Sequence, residues 1–240
     1  MAIAFSSIHT LQAGPGTTIT TTFDIGTPAN GIMVVTGNGN TSSDLITGIT
    51  WGGVALTKLQ AFAPDANHDR YIYLWILVNP ASGSNDLVVT NSSSGPFFGG
   101  KATIYSGAAQ TGQPDNSGTG TAGTGTSFAI SLTVNTTDSW IVAHASGDNN
   151  LALSAGTDTT LRSASTSPAI GDSNTGLATG SRTLNFTSSS QRFSGVILSI
   201  KPAVAAGPAN LKSYNTNLKA NIKSIDTNLI ANVKSLNTNT

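Results

Sequence analysis

The sequence predicts an all-β protein folded as an antiparallel sandwich of two sheets. Its 240 residues are rich in Gly, Ser, Thr and Asn, and only 9% of them are charged. This composition disfavours helices and favours strands joined by tight turns. Short segments with alternating apolar and polar residues recur along the chain with turn residues between them, as is typical of a sandwich. A closed barrel is the alternative architecture.

The longest apolar run, Arg70–Pro80 (RYIYLWILVNP), is predicted to be a central strand. Its odd-numbered and even-numbered residues would lie on opposite faces, because side chains alternate along a strand. Both faces are apolar, so the strand needs a covering layer on each side. A buried helix is the rival interpretation, but three aromatic residues and the closing Asn79-Pro80 favour the strand.

The segments before and after this run predict the other strands of the N-terminal half. Residues 2–11 form a first strand with Ile3 and Phe5 on one face, and its alternation slips near Ser6-Ser7, which predicts a bulge. Further strands are predicted at residues 17–24, 31–37, 86–91 and 97–106.

Residues 45–59 (LITGITWGGVALTKL) have the pattern of a β-hairpin. Gly52 and Gly53 supply the positive φ angles that a two-residue hairpin turn requires. Trp51 and Val54 would then face each other across the turn.

The C-terminal half begins with a low-complexity stretch, residues 107–127, which is rich in Gly and Thr. We expect this stretch to be a long surface crossover that contributes nothing to a core. Strands are predicted after it at residues 127–134, 139–146, 150–155, 159–164, 180–187 and 191–201.

Taken in order, several of these segments resemble those of a known protein family. They are WGGVALTKL, YLWILVNPASGSNDLVVT, a strand ending in IYSGA, the Gly/Thr-rich crossover and the closing SGVILSIKPA. Together they resemble a broad family of β-sandwich domains found in bacterial and phage-associated surface proteins. The resemblance spans residues 1–203 and implies an extracellular immunoglobulin-like or jelly-roll module, with no catalytic residues to transfer.

A tail with an eleven-residue repeat follows a predicted sandwich domain at residues 1–200 and a Pro/Ala linker at residues 201–209. Residues 210–240 contain NLKSYNTNLKA, NIKSIDTNLIA and NVKSLNTNT. The apolar spacing suits either a right-handed supercoiled helix or short strands with turns, and the many Asn and Thr residues favour strands. An apolar face as narrow as this one is not stable alone, so the tail needs a partner surface. The predicted tail interface consists of Leu211, Tyr214, Leu218, Ile222, Ile225, Leu229, Val233 and Leu236.

Charge and composition argue against several classes of function. The chain has no cysteine, which excludes a disulfide framework and thiolate chemistry. Residues 1–209 carry seven Lys/Arg and ten Asp, a net charge of −3, and residues 210–240 carry four Lys and one Asp, a net charge of +3. The main domain therefore lacks the basic field of a nucleic-acid-binding protein.

No apolar run reaches the ~18 residues of a membrane span, and the first ten residues are no ordinary secretory signal.

No pattern in the sequence predicts catalysis, a metal site or a cofactor. His9, His68 and His144 lie in separate segments without ligand spacing. Residues 65–69 (DANHD) resemble the first half of a calcium loop, but Arg70 stands where that loop needs glycine. We therefore expect a protein that is not an enzyme.

The leading hypothesis is a structural subunit of an extracellular, pilus-like fibril on a bacterial surface. Its partners would be copies of itself, joined by strand exchange that resembles donor-strand exchange in bacterial pili. The predicted donated strand lies within residues 1–12, and Ile3, Phe5 and Ile8 are its anchors. The alternative is a carbohydrate-binding adhesin module of a cell-surface or phage protein. In that alternative Trp51, beside the hairpin turn, would be exposed and contact glycans.

Overall fold

The computed structural model describes residues 1–11, 14–39, 43–64, 70–93, 97–149, 151–163 and 168–204. Residues Met1–Ala203 form one unit and Val204–Thr240 a second. The described residues contain strands and no helix, and every ladder between the strands is antiparallel. The predicted fold class, an all-β antiparallel sandwich, is confirmed. No helix that could cross a membrane occurs in this part of the chain.

Sixteen strands occupy the described ranges. In chain order they are β1 (Ala4–Thr10), β2 (Gly14–Pro15), β3 (Thr18–Asp24), β4 (Ile32–Gly39), β5 (Ile46–Trp51), β6 (Val54–Ala55), β7 (Thr57–Phe62), β8 (Tyr71–Val78), β9 (Ser84–Asn91), β10 (Phe97–Ser106), β11 (Asn116–Val134), β12 (Trp140–Gly147), β13 (Ser154–Ala155), β14 (Thr160–Ser163), β15 (Ala169–Asp172) and β16 (Gly180–Ile200).

The strands form three hydrogen-bonded sheets, one more than the sequence predicts. Sheet A has the order β1-β10-β4-β8-β7, with β2 also paired to β10. Sheet B has the order β3-β9-β5-β6. Sheet C has the order β11-β16-β12-β15-β14, with β13 also paired to β16.

Strand β8 explains why a third sheet is needed. Tyr73 and Trp75 belong to the core between sheets A and B. Ile72 and Leu74 belong to a second core, between sheets A and C. Both apolar faces of β8 are therefore covered, as its sequence predicts, and sheet A is the middle layer.

Strands β11 and β16 form a long ribbon that folds back on itself. Their pairing is irregular between Ala122 and Ser127, which separates the ribbon into two halves. Phe128 in the second half stacks on Phe193 in the first, with ring centres 5.8 Å apart. A third core lies between the two halves.

The expectation that residues 107–127 are a surface crossover is wrong for most of that stretch. Strand β11 begins at Asn116 and runs through the Gly/Thr-rich segment. Glycine allows the two halves of the ribbon to approach closely: a Cβ on Gly120 would lie only 3.0 Å from Ile130 Cγ1. The absence of side chains, which argues against a core, here permits close packing under large apolar residues.

The predicted hairpin at residues 45–59 is confirmed at its turn and wrong beyond it. Trp51 pairs with Val54 around Gly52 and Gly53, whose φ angles are 54° and 82°. The second strand of the hairpin, β6, ends at Ala55 and the chain crosses to sheet A, where β7 pairs with β8. In the C-terminal half, β15 is a strand that the sequence analysis missed, and two predicted strands form the continuous β16.

Candidate assembly site

The predicted donated strand is β1, which lies at one edge of sheet A. Its ladder with β10 runs from Ala4 opposite Ser106 to Thr10 opposite Lys101. The register shifts between Phe5 and Ser7, which confirms the predicted bulge.

The three predicted anchors, one just before β1 and two within it, meet in one core. Ile3 is buried, and Phe5 and Ile8 are half-buried. All three contact the core between sheets A and C. The structure thus brings the anchors together within their own chain, and their exchange between chains stays a prediction.

An ion pair on β14 and β15 lies beside this core. Arg162 Nε donates to Asp172 Oδ2 over 2.7 Å, and Arg162 Nη2 donates to Asp172 Oδ1 over 2.9 Å. The Asp172 carboxylate is fully buried. It also accepts hydrogen bonds from Tyr105 Oη over 2.8 Å and from the backbone N–H of Asn174 over 3.0 Å. So complete a set of donors offsets much of the cost of burying a carboxylate.

The guanidinium group of Arg162 covers the N-terminal strand. Its central carbon lies 4.4 Å from the centre of the Phe5 ring and 6.0 Å from that of Trp140. Tyr105 packs edge-on against both rings, at centre distances of 6.0 and 6.1 Å. A cation over aromatic faces is attracted by their quadrupoles, so Arg162 links β1 to sheet C. We call Phe5, Tyr105, Trp140, Arg162 and Asp172 the β1 clamp.

Burial keeps the phenol of the clamp protonated. Desolvation, followed by the nearby Asp172 carboxylate, raises the pKa of Tyr105 well above its usual value. Tyr105 therefore remains a hydrogen-bond donor to Asp172 at all physiological pH values.

The residues before β1 are held by two further contacts. The N-terminal ammonium of Met1 donates to the carbonyl oxygen of Ala203 over 2.9 Å. Gly107 has a φ angle of 75°, and a Cβ at that position would overlap the carbonyl oxygen of Ala2. Glycine is thus needed at residue 107 both for its backbone conformation and for the close approach of the first strand.

A second polar group connects sheets A and C away from β1. His144 Nε2 lies 2.9 Å from Asn38 Oδ1, and Asn38 Nδ2 donates to Ser146 Oγ over 2.8 Å. Arg70 Nη1 donates to the carbonyl oxygen of Gly147 over 2.8 Å. Burial, together with the charge of Arg70, lowers the pKa of His144 to about 3. The imidazole is therefore neutral, and it serves as a structural group between sheets A and C.

Trp51 is not the exposed glycan contact that the sequence suggested. Its side chain is 0% exposed, and its Nε1 donates to the carbonyl oxygen of Ala81 over 2.9 Å. Its ring packs on Phe23, with centres 4.6 Å apart. Although it adjoins a hairpin turn, Trp51 is paired to β9 through Leu87 and faces sheet A, so no sugar can stack on it. Trp75, predicted to be in the core, is buried.

Two other segments that the sequence singles out lie outside the described residues. They are the calcium-like segment at residues 65–69 and the tail interface at Leu211, Tyr214, Leu218, Ile222, Ile225, Leu229, Val233 and Leu236. The tail and linker boundaries stay predictions. Within the described ranges, no three His, Asp, Glu or Cys side chains are grouped as a metal site would require.

The polar part of the β1 clamp is not predicted by the sequence. Arg162 is the one charged residue of the predicted strand 159–164, and Asp172 follows the apolar Ala169-Ile170-Gly171. Asp172 also takes part in the turn that follows β15, where its Oδ1 accepts a hydrogen bond from the backbone N–H of Asn174. A charge within or beside an apolar strand is a signal for a buried pair. The pairing itself depends on sheet order, which local sequence does not encode.

Comparisons with known proteins add little to this description. No family model matches the chain, and no curated protein matches it. One solved structure, the major capsid protein P2 from bacteriophage PM2, aligns with 84% of this chain and 100% of its own, at 8% identity and a TM-score of 0.27. That score is too low to indicate a common fold, so the fold assignment rests on the strands and sheets described above.

Proposed function

We propose that this chain is a structural subunit of an extracellular, pilus-like fibril in which neighbouring copies exchange β1. In this proposal the protein has no enzymatic activity and binds no cofactor. The observation that supports it best is that β1, an edge strand, and the residue before it place three apolar anchors in the core between two sheets.

Strand exchange requires no interaction that the folded chain lacks. The ladder bonds between β1 and β10 form equally well when β10 belongs to a neighbour. Ile3, Phe5 and Ile8 would fill the same core in that neighbour, and Arg162 would cover the incoming Phe5. If each copy gives its strand to the next without closing a ring, the product is a filament.

The composition supports an extracellular location. All eleven acidic residues are Asp, and charged residues make up only 9% of the chain. Hydroxyl and amide side chains supply most of the polar surface instead. The resemblance of residues 1–203 to bacterial and phage-associated surface domains points in the same direction.

A reversible disulfide tests the exchange directly. Ala4 and Ser106 are opposite each other in the β1–β10 ladder, and opposed antiparallel residues lie within the Cα separation that a disulfide needs. The chain has no cysteine of its own. In the variant A4C/S106C, oxidation of the monomer should hold β1 in its own chain and prevent fibrils in negative-stain electron microscopy. Reduction should restore them.

Oxidising fibrils that have already formed separates two outcomes. With strand exchange, A4C/S106C forms disulfides between subunits and gives a ladder of oligomers on a denaturing gel. Fibrils in which all disulfides lie within single subunits would exclude the exchange of β1. They would still support a structural role for the protein. Deletion of residues 2–11 should abolish fibrils, and a wild-type chain that never polymerises would overturn the proposal.

The matched control places a disulfide elsewhere. Ser131 and Thr183 are opposed on β11 and β16, and their exposed hydroxyls are hydrogen-bonded at 2.8 Å. The variant S131C/T183C should form fibrils in both the oxidised and the reduced state, because this ladder does not involve β1.

A further inference from the structure

The free edge of sheet B differs from the other sheet edges among the described residues. That edge is β3, which pairs on one side with β9 in an uninterrupted seven-residue register from Thr18 opposite Thr90 to Asp24 opposite Ser84. No other strand of the described residues pairs with the other side of β3.

Natural proteins protect edge strands by bulges, charged residues, proline or short length. Edge strands β1, β7 and β14 each have a register shift, and β7 and β14 also carry Lys58 and Arg162. Edge strand β6 has two residues, and β11 is interrupted at the fold of its ribbon. Strand β3 (TITTTFD) has no bulge, Lys, Arg, Pro or Gly.

Its backbone hydrogen bonds show which groups face outwards. Asn91 N donates to Thr17 O over 2.9 Å, and Ile25 N donates to Gly83 O over 3.2 Å. These bonds mark the odd-numbered residues of β3 as those whose backbone groups point towards β9. In an antiparallel ladder the intervening residues point theirs away. The backbone N–H and C=O groups of Thr18, Thr20, Thr22 and Asp24 therefore face the free edge.

We propose that this edge pairs with β3 of a second copy, related by a two-fold axis through the two Thr21 residues. In this register Thr18 lies opposite Asp24 and Thr20 opposite Thr22, so all four outward-facing residues of each copy join the ladder. A shift by two residues leaves one of them unpaired. The two four-stranded sheets become one sheet of eight strands.

The side chains favour a second copy as the partner. On the outer face, a Thr hydroxyl meets each Asp24 carboxylate, and the two carboxylates lie at opposite ends of the ladder. The central cross-strand pairs are Thr–Thr, which stabilise sheets through packing and hydrogen bonding. On the inner face, Ile19 of one copy lies opposite Phe23 of the other and extends the apolar layer.

Cysteine cross-linking tests the register in the full-length protein. Opposed residues of a hydrogen-bonded pair have Cα atoms ~5.5 Å apart, within the range of a disulfide. Oxidised T20C/T22C should run as a covalent dimer on a denaturing gel, whether or not the sample also forms fibrils. The control T18C/T20C has the same number of cysteines on the same edge but no opposed pair. Equal dimer yields from the two variants would overturn the register.

A proline substitution tests the interface itself. The N–H of Thr20 faces away from β9, so T20P removes no ladder bond of the monomer, and proline is tolerated at such edge positions. In sedimentation velocity of the soluble protein, the wild type should shift from monomer to dimer with concentration, whereas T20P should stay monomeric with little change in melting temperature. A wild type that is monomeric throughout, or a T20P variant that dimerises as well, would refute the proposal.

The control T10P makes the same change at an outward-facing position of β1. Leu11 N donates to Gly100 O, so the neighbouring Thr10 points its N–H away from β10. T10P should dimerise like the wild type. The proposed pairing of β3 does not depend on the exchange of β1. If oxidised A4C/S106C forms no fibrils but still forms dimers, the two proposals are separated.

Discussion

The guanidinium of Arg162 lies 4.4 Å from the centre of the Phe5 ring while its nitrogens hold the buried Asp172 carboxylate. One side chain thus serves two partners: an aromatic ring on the N-terminal strand and a charge in sheet C. Phe5 is covered by a cation that cannot leave without exposing Asp172 as an unpaired charge. The retention of β1 and the stability of sheet C are therefore coupled.

Replacing Arg162 by Ala should destabilise the protein strongly. It leaves the Asp172 carboxylate buried without its cation, which costs about 3–5 kcal/mol of unfolding free energy. Urea unfolding measures this loss. The control is Arg182→Ala, which removes an exposed guanidinium bonded to the carbonyl oxygens of Ala178 and Thr179 and should cost about 1 kcal/mol or less. Similar losses of unfolding free energy in the two variants would show that Arg162 stabilises the protein no more than an exposed arginine does.

Replacing Gly107 by Ala should displace the first residues of the chain. The new Cβ would overlap Ala2 O, in addition to the strain of a positive φ angle. The control is Gly83→Ala, where φ is 81° and a Cβ would meet nothing within 4 Å. Strain alone costs about 1–2 kcal/mol, so Gly83→Ala should lose that much and Gly107→Ala clearly more. Faster hydrogen exchange in residues 3–10 of Gly107→Ala alone would locate the extra loss at β1.

Stability should fall as the pH is lowered from 6.5 towards 3, and His144 is a main cause. Its pKa falls from 6.5 to about 3 on folding, so in this window the unfolded chain binds a proton that the folded chain does not. The unfolding free energy then drops by up to about 1.4 kcal/mol per pH unit. Burial also lowers the pKa of His9, opposed by Asp24, and this adds to the slope in the same direction.

The variant His144→Gln isolates the contribution of this imidazole. It should be less stable than the wild type at pH 7, because the packing between sheets A and C is disturbed, but its stability should change less between pH 6 and pH 4.5. His9→Gln is the comparison at a partly exposed position, and it should reduce the pH dependence less than His144→Gln does. A wild-type pH slope that survives in His144→Gln would refute the assignment.

Replacing Trp51 by Ala should reduce stability, because this side chain is part of the core. Truncating a buried Trp costs about 3–5 kcal/mol. Trp51→Phe keeps much of the packing but loses the hydrogen bond from Trp51 Nε1 to the carbonyl oxygen of Ala81, which contributes about 0.5–1.5 kcal/mol. Chemical denaturation of the two variants checks this order. If both variants are as stable as the wild type, Trp51 lies outside the core.

The sequence predicted the elements whose side chains alternate by a simple rule. In β8, residue parity alone divides Tyr73 and Trp75 from Ile72 and Leu74, and the structure places the two sets in different cores. It also predicted the turn at Gly52-Gly53, because a two-residue hairpin turn has a specific backbone requirement. These are local properties, which a single sequence carries.

Local sequence patterns gave wrong predictions where the structure depends on residues far apart in the chain. The glycines of β11 indicate a loop, unless Phe128 and Ile130 are known to fold back over them. Trp51 was misplaced because a residue beside a turn can still lie under a second sheet. The β1 clamp joins residues 5, 105, 140, 162 and 172, whose proximity follows from sheet order and not from spacing.

The pairing of β1 with β10 has a consequence for the time course of folding. Ala4 and Ser106 are separated by 102 positions, so β1 has no ladder partner until β10 has been made. At ~5–20 residues per second, that wait lasts on the order of 5–20 s. During it Ile3, Phe5 and Ile8 cannot be buried in their final core. During this delay another copy of the chain, or a chaperone, has time to bind β1 before β10 of the same chain pairs with it.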